Sequence, residues 1–188
     1  MAEQKMSLQE LISNYGYLTI AVGTFFEGET VLVLGGLAAH RGFLLLSGVI
    51  ACAFLGAFCG NQLYFHIGRR KGATFLAKRP VWQKKSEKIF AIAEKHQNLL
   101  ILGFSFTYGL RTVTPFLLGA TKISAVKFFL LSMIGTFTWA SLVGSLGYFF
   151  GYALTSMFGS LKPYEPWIFV TLAAVGVTFW LIRYLRHR

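Results

Sequence analysis

Three ionisable side chains stand inside otherwise apolar sequence. Glu27 and Glu29 flank Gly28 between two uncharged stretches, Leu11 to Phe26 and Thr30 to Ala39; Arg111 interrupts a later pair of uncharged stretches, with Pro115 close behind and Lys122 at the end. An ionisable group at membrane depth costs about 2.5 to 3.5 kcal/mol on insertion scales, so each of the three needs a partner, a cavity or a function. Two carboxylates separated by one residue in an apolar setting repel each other and can hold a proton near neutral pH, whereas a guanidinium suits bidentate capture of a carboxylate or phosphate. The competing explanation is a purely structural Glu–Arg pair that joins the two charged breaks.

The surrounding chain is that of a membrane protein. It has 188 residues, 55% of them hydrophobic, 16% aromatic and 13% charged, with mean hydropathy +0.57. These values exclude an ordinary soluble domain, and the length allows one membrane domain, 1–188. Stretches without Asp, Glu, Lys or Arg run from Gly42 to Gly68 and from Phe128 to Leu161, each beyond the roughly 20 residues a spanning helix needs. The N-terminus lacks the pattern of a cleaved signal peptide. Cys52 and Cys59 lie on one apolar helix, too far apart along its axis to bridge, and read as packing residues. The four histidines are scattered, with no metal-ligand spacing and no arrangement that would assemble a nucleophile and its base, so neither a resident cofactor nor an enzyme is expected.

These elements must position the charges. Ser7 with Glu10 has the form of a capping box, so a helix is expected from about Leu8. Two apolar arms around a charge and a backbone breaker read as a broken helix or a re-entrant hairpin, tolerated only where protein or a wet cavity surrounds it. Residues 69–95 carry nine Lys/Arg against two Glu, a cytoplasmic signature and a surface suited to anionic lipid head groups. A hairpin over 97–121, a spanning helix from about 128 to 152 and another over about 166–184 keep every basic segment inside; a full crossing at 97–121 would put the basic tail outside. At an offset of 84 residues the chain matches itself at eight positions between 27 and 68, among them Gly35/Gly119, Gly60/Gly144 and Tyr64/Tyr148, where chance supplies roughly three. This register aligns Glu27 with Arg111. The predicted fold is an all-α polytopic membrane protein: a repeat over about 8–68, the basic loop 69–95, an inverted repeat over about 97–152, each a re-entrant hairpin plus a transmembrane helix, and a C-terminal transmembrane helix.

Gly56, Gly60, Asn61 and Gln62 place small and uncharged polar residues at depth in the first long helix. The ordered set Glu27-Gly28-Glu29-Thr30, Leu34-Gly35-Gly36, Gly60-Asn61-x-x-Tyr64, Gly68-Arg69-Arg70-x-Gly72, Gly109-Leu110-Arg111-Thr112-x-x-Pro115-x-x-x-Gly119 and Gly135-x-x-x-Trp139 resembles the DedA family of bacterial inner-membrane proteins, in particular its shorter members. The family is related to eukaryotic lipid scramblases often labelled SNARE-associated. The resemblance implies two facing re-entrant hairpins and transport of undecaprenyl phosphate or a phospholipid, with the proton-motive force involved. Glu27 and Glu29 match its acidic pair and Arg111 the second of its two arginines. Asn61 stands where the family has Asp, and Ser105 where it has the first Arg. Arg111 is then expected to hold the phosphate with Thr112 beside it, Glu27 and Glu29 to gate it or exchange protons, and Asn61, Ser105 and Tyr108 to line the path. The expected partners are membrane lipids with anionic head groups rather than nucleic acid, with H⁺ or Na⁺ as possible coupling ion and a homo-oligomer left open. The other readings are a membrane scaffold or chaperone for the envelope, or a small-solute transporter.

Overall fold

The computed structural model describes residues 8–77, 96–107, 111–121 and 123–157. These are almost entirely helical: α1 Leu8–Phe26, α2 Glu29–His40, α3 Leu46–Ala77, α4 over 96–103 continuing into a 3₁₀ turn Phe104–Phe106, α5 Val113–Gly119 and α6 Ala125–Met157. No strand occurs among the described residues. By length and composition α3 and α6 are candidate membrane spans, over Leu46–Gly72 and Ala125–Ser156. α2, with 12 residues, reaches only about 18 Å at 1.5 Å per residue, well short of a bilayer core about 30 Å thick.

Close approaches at glycines fix how the helices run. Gly23 lies against Val31 and Gly35 against Ile20, so α1 and α2 fold back on each other as an antiparallel pair. Gly48 meets Tyr17 and Gly60 meets Phe25, which sets α1 parallel to α3. Along α6, Gly147 abuts Val33 and Gly151 abuts Leu37 and His40, so α2 and α6 are parallel. The second half repeats the scheme. α5 runs parallel to α3, with Gly68 at Phe116 and Gly72 at Ala120, and α4 parallel to α6, with Leu102 at Gly135 and Lys127 Nζ donating to Gln97 Oε1 at 2.7 Å. α3 and α6 are antiparallel, through Phe54 on Phe137 and Phe65 on Phe128. Each folded-back arm therefore packs on the long helix of the other half.

The turn between α2 and α3 is built by Gly42, whose φ of +78° suits only glycine. Phe43 N–H donates to Ala38 O and Gly42 N–H to Ala39 O, closing a Schellman motif. The Tyr17 hydroxyl accepts from Leu45 N–H at 2.9 Å and holds the start of α3.

Two apolar clusters fill the interior. One gathers Ile20, Leu32, Val49, Ala53, Ala57 and Trp139; the other gathers Phe65, Ile101, Phe104, Leu118 and Phe128. Outside them, Leu55, Phe137 and Phe149 are each more than half exposed, an apolar belt of the kind lipid covers.

The segment 69–95, expected as a loop, is helical over its start, since α3 continues to Ala77. Arg69 belongs to the packed structure: it donates from Nε to Gly119 O at 3.0 Å and from a second nitrogen to Ile123 O, fastening the end of α5. The helix expected at 128–152 is longer, Ala125–Met157. Ser7, residues 78–95 and the expected C-terminal helix at 166–184 lie outside the described residues.

Candidate functional site

Between the two apolar clusters lies a polar layer. On α3 Asn61 stands between Ala57 and Phe65, and on α6 Ser132 and Thr136 stand between Phe128 and Trp139. At spacings of four and three residues, Ser132, Thr136 and Trp139 share one face of α6. Asn61 Nδ2 donates to Thr136 Oγ1 at 3.0 Å and Gln62 Nε2 to Ser132 Oγ at 2.9 Å, so two adjacent hydrogen bonds join the middle of the α3 span to the first half of α6.

Both backbone breaks open at this layer. The break between α1 and α2 consists of Glu27 and Gly28, with Glu29 as the first residue of α2. The break before α5 presents Arg111, 8% exposed, and Thr112 at the N-cap position. Arg111 reaches across to the first break. Its Nη2 donates to Thr24 O at 3.2 Å, a carbonyl one turn before that break, and its Cζ lies 4.1 Å from the centroid of Trp139. Its Nη1 is buried with no hydrogen-bond partner among the described residues.

Gly28 explains how so large a group fits. A Cβ there would come within 1.9 Å of Arg111 Nη1 and 2.5 Å of Trp139 Cη2, so only a residue without a side chain admits the guanidinium. The Glu–Arg pairing is not a direct contact: among the described residues Arg111 makes no ion pair with Glu27 or Glu29, both half-buried beside Gly28, and is attracted to Glu29 only over a longer distance. A buried guanidinium with a free donor can take a further acceptor, an anionic oxygen most favourably.

The structure thus brings Glu27, Glu29, Arg111 and Asn61 to one polar layer. Thr112 is half-buried and caps α5 with no side-chain hydrogen bond. Ser105 lies in the 3₁₀ turn, fully buried, and its Oγ has no partner among the described residues. Tyr108 lies outside the described residues. Sequence reasoning missed Gly28, Thr24, Thr136 and Trp139 as parts of the site. The available signal was the α6 spacing, which puts Thr136 and Trp139 on one face.

No group of three or more His, Cys, Asp or Glu that could hold a metal occurs among the described residues. A helical membrane protein with an ionisable centre enclosed by folded-back helices is the class these features define. The chain belongs to the VTT domain family, also called the DedA family: the VTT domain matches residues 18–149. It is 35% identical over 182 residues to the inner membrane protein YohD of Escherichia coli (strain K12), covering 95% of each chain. With the uncharacterized membrane protein YbfM of Bacillus subtilis (strain 168) it shares 30% identity over 152 residues, 74% of this chain and 93% of the relative. Protein DedA of Escherichia coli (strain K12) is 24% identical over 199 residues, 96% of this chain and 89% of the relative. No solved structure matches.

Proposed function

We propose that the protein moves a lipid with an anionic head group, undecaprenyl phosphate or a phospholipid, between bilayer leaflets without altering it chemically. The observation that carries this reading is Arg111, buried in the polar layer with Nη1 lacking a hydrogen-bond partner among the described residues. In this reading α1–α2 and α4–α5 are re-entrant hairpins entering from opposite faces, and the antiparallel α3 and α6 are the spanning helices of an inverted repeat. The direction of every described helix pair supports that arrangement. Inverted repeats whose broken helices meet at the midplane suit alternating access, and the N-terminus of α2 at Gly28 adds a partial positive charge there. Arg111 binds the phosphate oxygen, Glu27 and Glu29 gate it or exchange protons, and Asn61, Ser105, Tyr108 and Thr112 line the polar route, with H⁺ or Na⁺ as the coupling ion. The end carrying Arg69, Arg70, Lys71 and Lys127 faces the cytoplasm of the inner membrane, with the basic segment and the C-terminus.

The test is purified protein in liposomes containing leaflet-labelled polyprenyl phosphate, phosphatidylglycerol or phosphatidylcholine. Accelerated exchange of an anionic lipid, recovered unmodified and slowed at least about tenfold by Arg111→Ala in a folded protein, is the expected result. A folded wild type that moves none of these lipids removes the transport reading and leaves the scaffold one.

A further inference from the structure

The position of Arg111 poses a question the transport reading does not answer. A buried charge beside carboxylates ordinarily pairs with them, and Nη1 packs against Gly28, whose two chain neighbours are Glu27 and Glu29. Among the described residues Arg111 nevertheless makes no direct ion pair with either acid, feeling Glu29 only as a longer-range attraction, and its Nη1 has no hydrogen-bond partner. What occupies it instead is Trp139, whose ring lies under the guanidinium with 4.1 Å from Cζ to the centroid. Trp139 is 1% exposed and packed in the first apolar cluster, so its ring is a fixed surface. It also stands against Gly28, since a Cβ there would meet Trp139 Cη2 at 2.5 Å.

We infer that Trp139 is a positioning residue of the anion site: its indole face and the Thr24 carbonyl hold Arg111 clear of the acidic pair, so that Nη1 stays available to a phosphate oxygen. This rests on the reading of Arg111 as the anion-holding group. A residue without a π face at 139 releases the guanidinium, which then swings onto Glu27 or Glu29. A self-paired arginine has no donor left for a ligand.

The inference separates from a merely structural role of Trp139 because removing the acids should rescue its loss. Fluorescent-tailed phosphatidic acid is titrated into the full chain in neutral detergent micelles, with phosphatidylcholine as the reference lipid. A desolvated cation–π stack corresponds to roughly 30-fold in an equilibrium. Trp139→Leu is accordingly expected to weaken phosphatidate binding about 10- to 30-fold, and Trp139→Phe, which keeps a smaller ring face, by less. Adding Glu27→Gln and Glu29→Gln to Trp139→Leu should return the affinity to within about threefold of the same double Gln protein with Trp139 intact. Binding by Trp139→Leu equal to wild type, or a defect that the two Gln substitutions leave unchanged, overturns the inference.

A ligand-free arm keeps it decidable if wild type shows no preference for phosphatidate, an outcome that removes the anionic-lipid reading itself. A double-mutant cycle on melting temperature, Arg111→Gln against the two Glu→Gln changes, should show clearly stronger coupling in the Trp139→Leu background than in wild type, where only the longer-range attraction to Glu29 contributes. Equal coupling in both backgrounds overturns the positioning role whatever the lipid result.

Discussion

Arg111 carries a full charge in the interior with, among the described residues, one hydrogen bond and one aromatic face for support. Replacing it with Lys keeps the charge but supplies a compact ammonium that cannot lie flat on Trp139 while reaching both Thr24 O and a ligand. Transport in liposomes is expected to fall in the order wild type, Arg111→Lys, Arg111→Ala. For Ala the loss corresponds to a charge-assisted hydrogen bond of about 1.5 to 3 kcal/mol, roughly 10- to 150-fold in rate. The acids predict differently. Breaking a buried ion pair costs about 3 to 5 kcal/mol, but Glu27 and Glu29 form none with Arg111 among the described residues. Glu27→Gln and Glu29→Gln should therefore each change stability by less than about 1 kcal/mol in thermal unfolding. If the pair exchanges protons during the cycle, the same variants flatten the pH dependence of transport. A large drop in melting temperature with an unchanged pH profile would restore the structural role for the pair. At this scale the three charges were legible because apolar sequence surrounds them. Trp139 was not, since a tryptophan in an apolar helix is an ordinary packing residue until the fold lays a guanidinium on it.

At the scale of elements, charge interruptions located both backbone breaks but misplaced the end of α3. Arg69, Arg70 and Lys71 are good helix formers, and Arg69 is anchored on Gly119 O and Ile123 O. Charge there marks where apolar sequence ends, not where the helix does. The small residues were legible as close-packing sites, whereas their partners were not, because α2 packs on α6, far away in sequence. That contact gives a stringent test. A Cβ on Gly36 would come within 2.4 Å of Gly144 O and 2.8 Å of Tyr148 N, both backbone atoms that can yield only if the helices separate. Gly36→Ala should lower stability by roughly 1 to 3 kcal/mol. Gly103, at the end of α4, has nothing among the described residues within 4 Å of its added Cβ, so Gly103→Ala should be neutral or stabilising by up to about 1 kcal/mol. Thermal unfolding of the two variants in one detergent makes the comparison, and equal losses would mean that α2 and α6 are not in backbone contact.

For the whole molecule, the helix directions lead to an arrangement in the bilayer that labelling can check. The turn at 41–45 follows α2 and begins α3, so it lies at the α3-start end; the 120–124 connection follows α5, which runs parallel to α3, and lies at the opposite end with Arg69, Arg70 and Lys71. Lys127, on the first turn of α6, joins that end. The described residues carry only Arg41 and no other Lys or Arg at the α3-start end. The positive-inside rule then predicts that the 120–124 end faces the cytoplasm, the orientation proposed above. With Cys52 and Cys59 replaced by Ala, single cysteines at the exposed Leu45 and at Ser124 should react with an impermeant maleimide from opposite faces, and cysteines at Lys71 and Ser124 from the same face. The order discriminates between topologies because a full crossing by α4 and α5 would move position 124 away from position 71, whatever the absolute orientation. A cysteine at Gly28 adds the depth coordinate, although its Cβ must displace Arg111 Nη1. Glu27, the adjacent position, avoids that clash, and a cysteine there should stay unreactive from both faces in the closed molecule and become reactive from one face at a time as the protein cycles. Simultaneous reactivity from both faces would describe an open pore, which the buried Arg111 and the polar bonds between α3 and α6 do not permit in this structure.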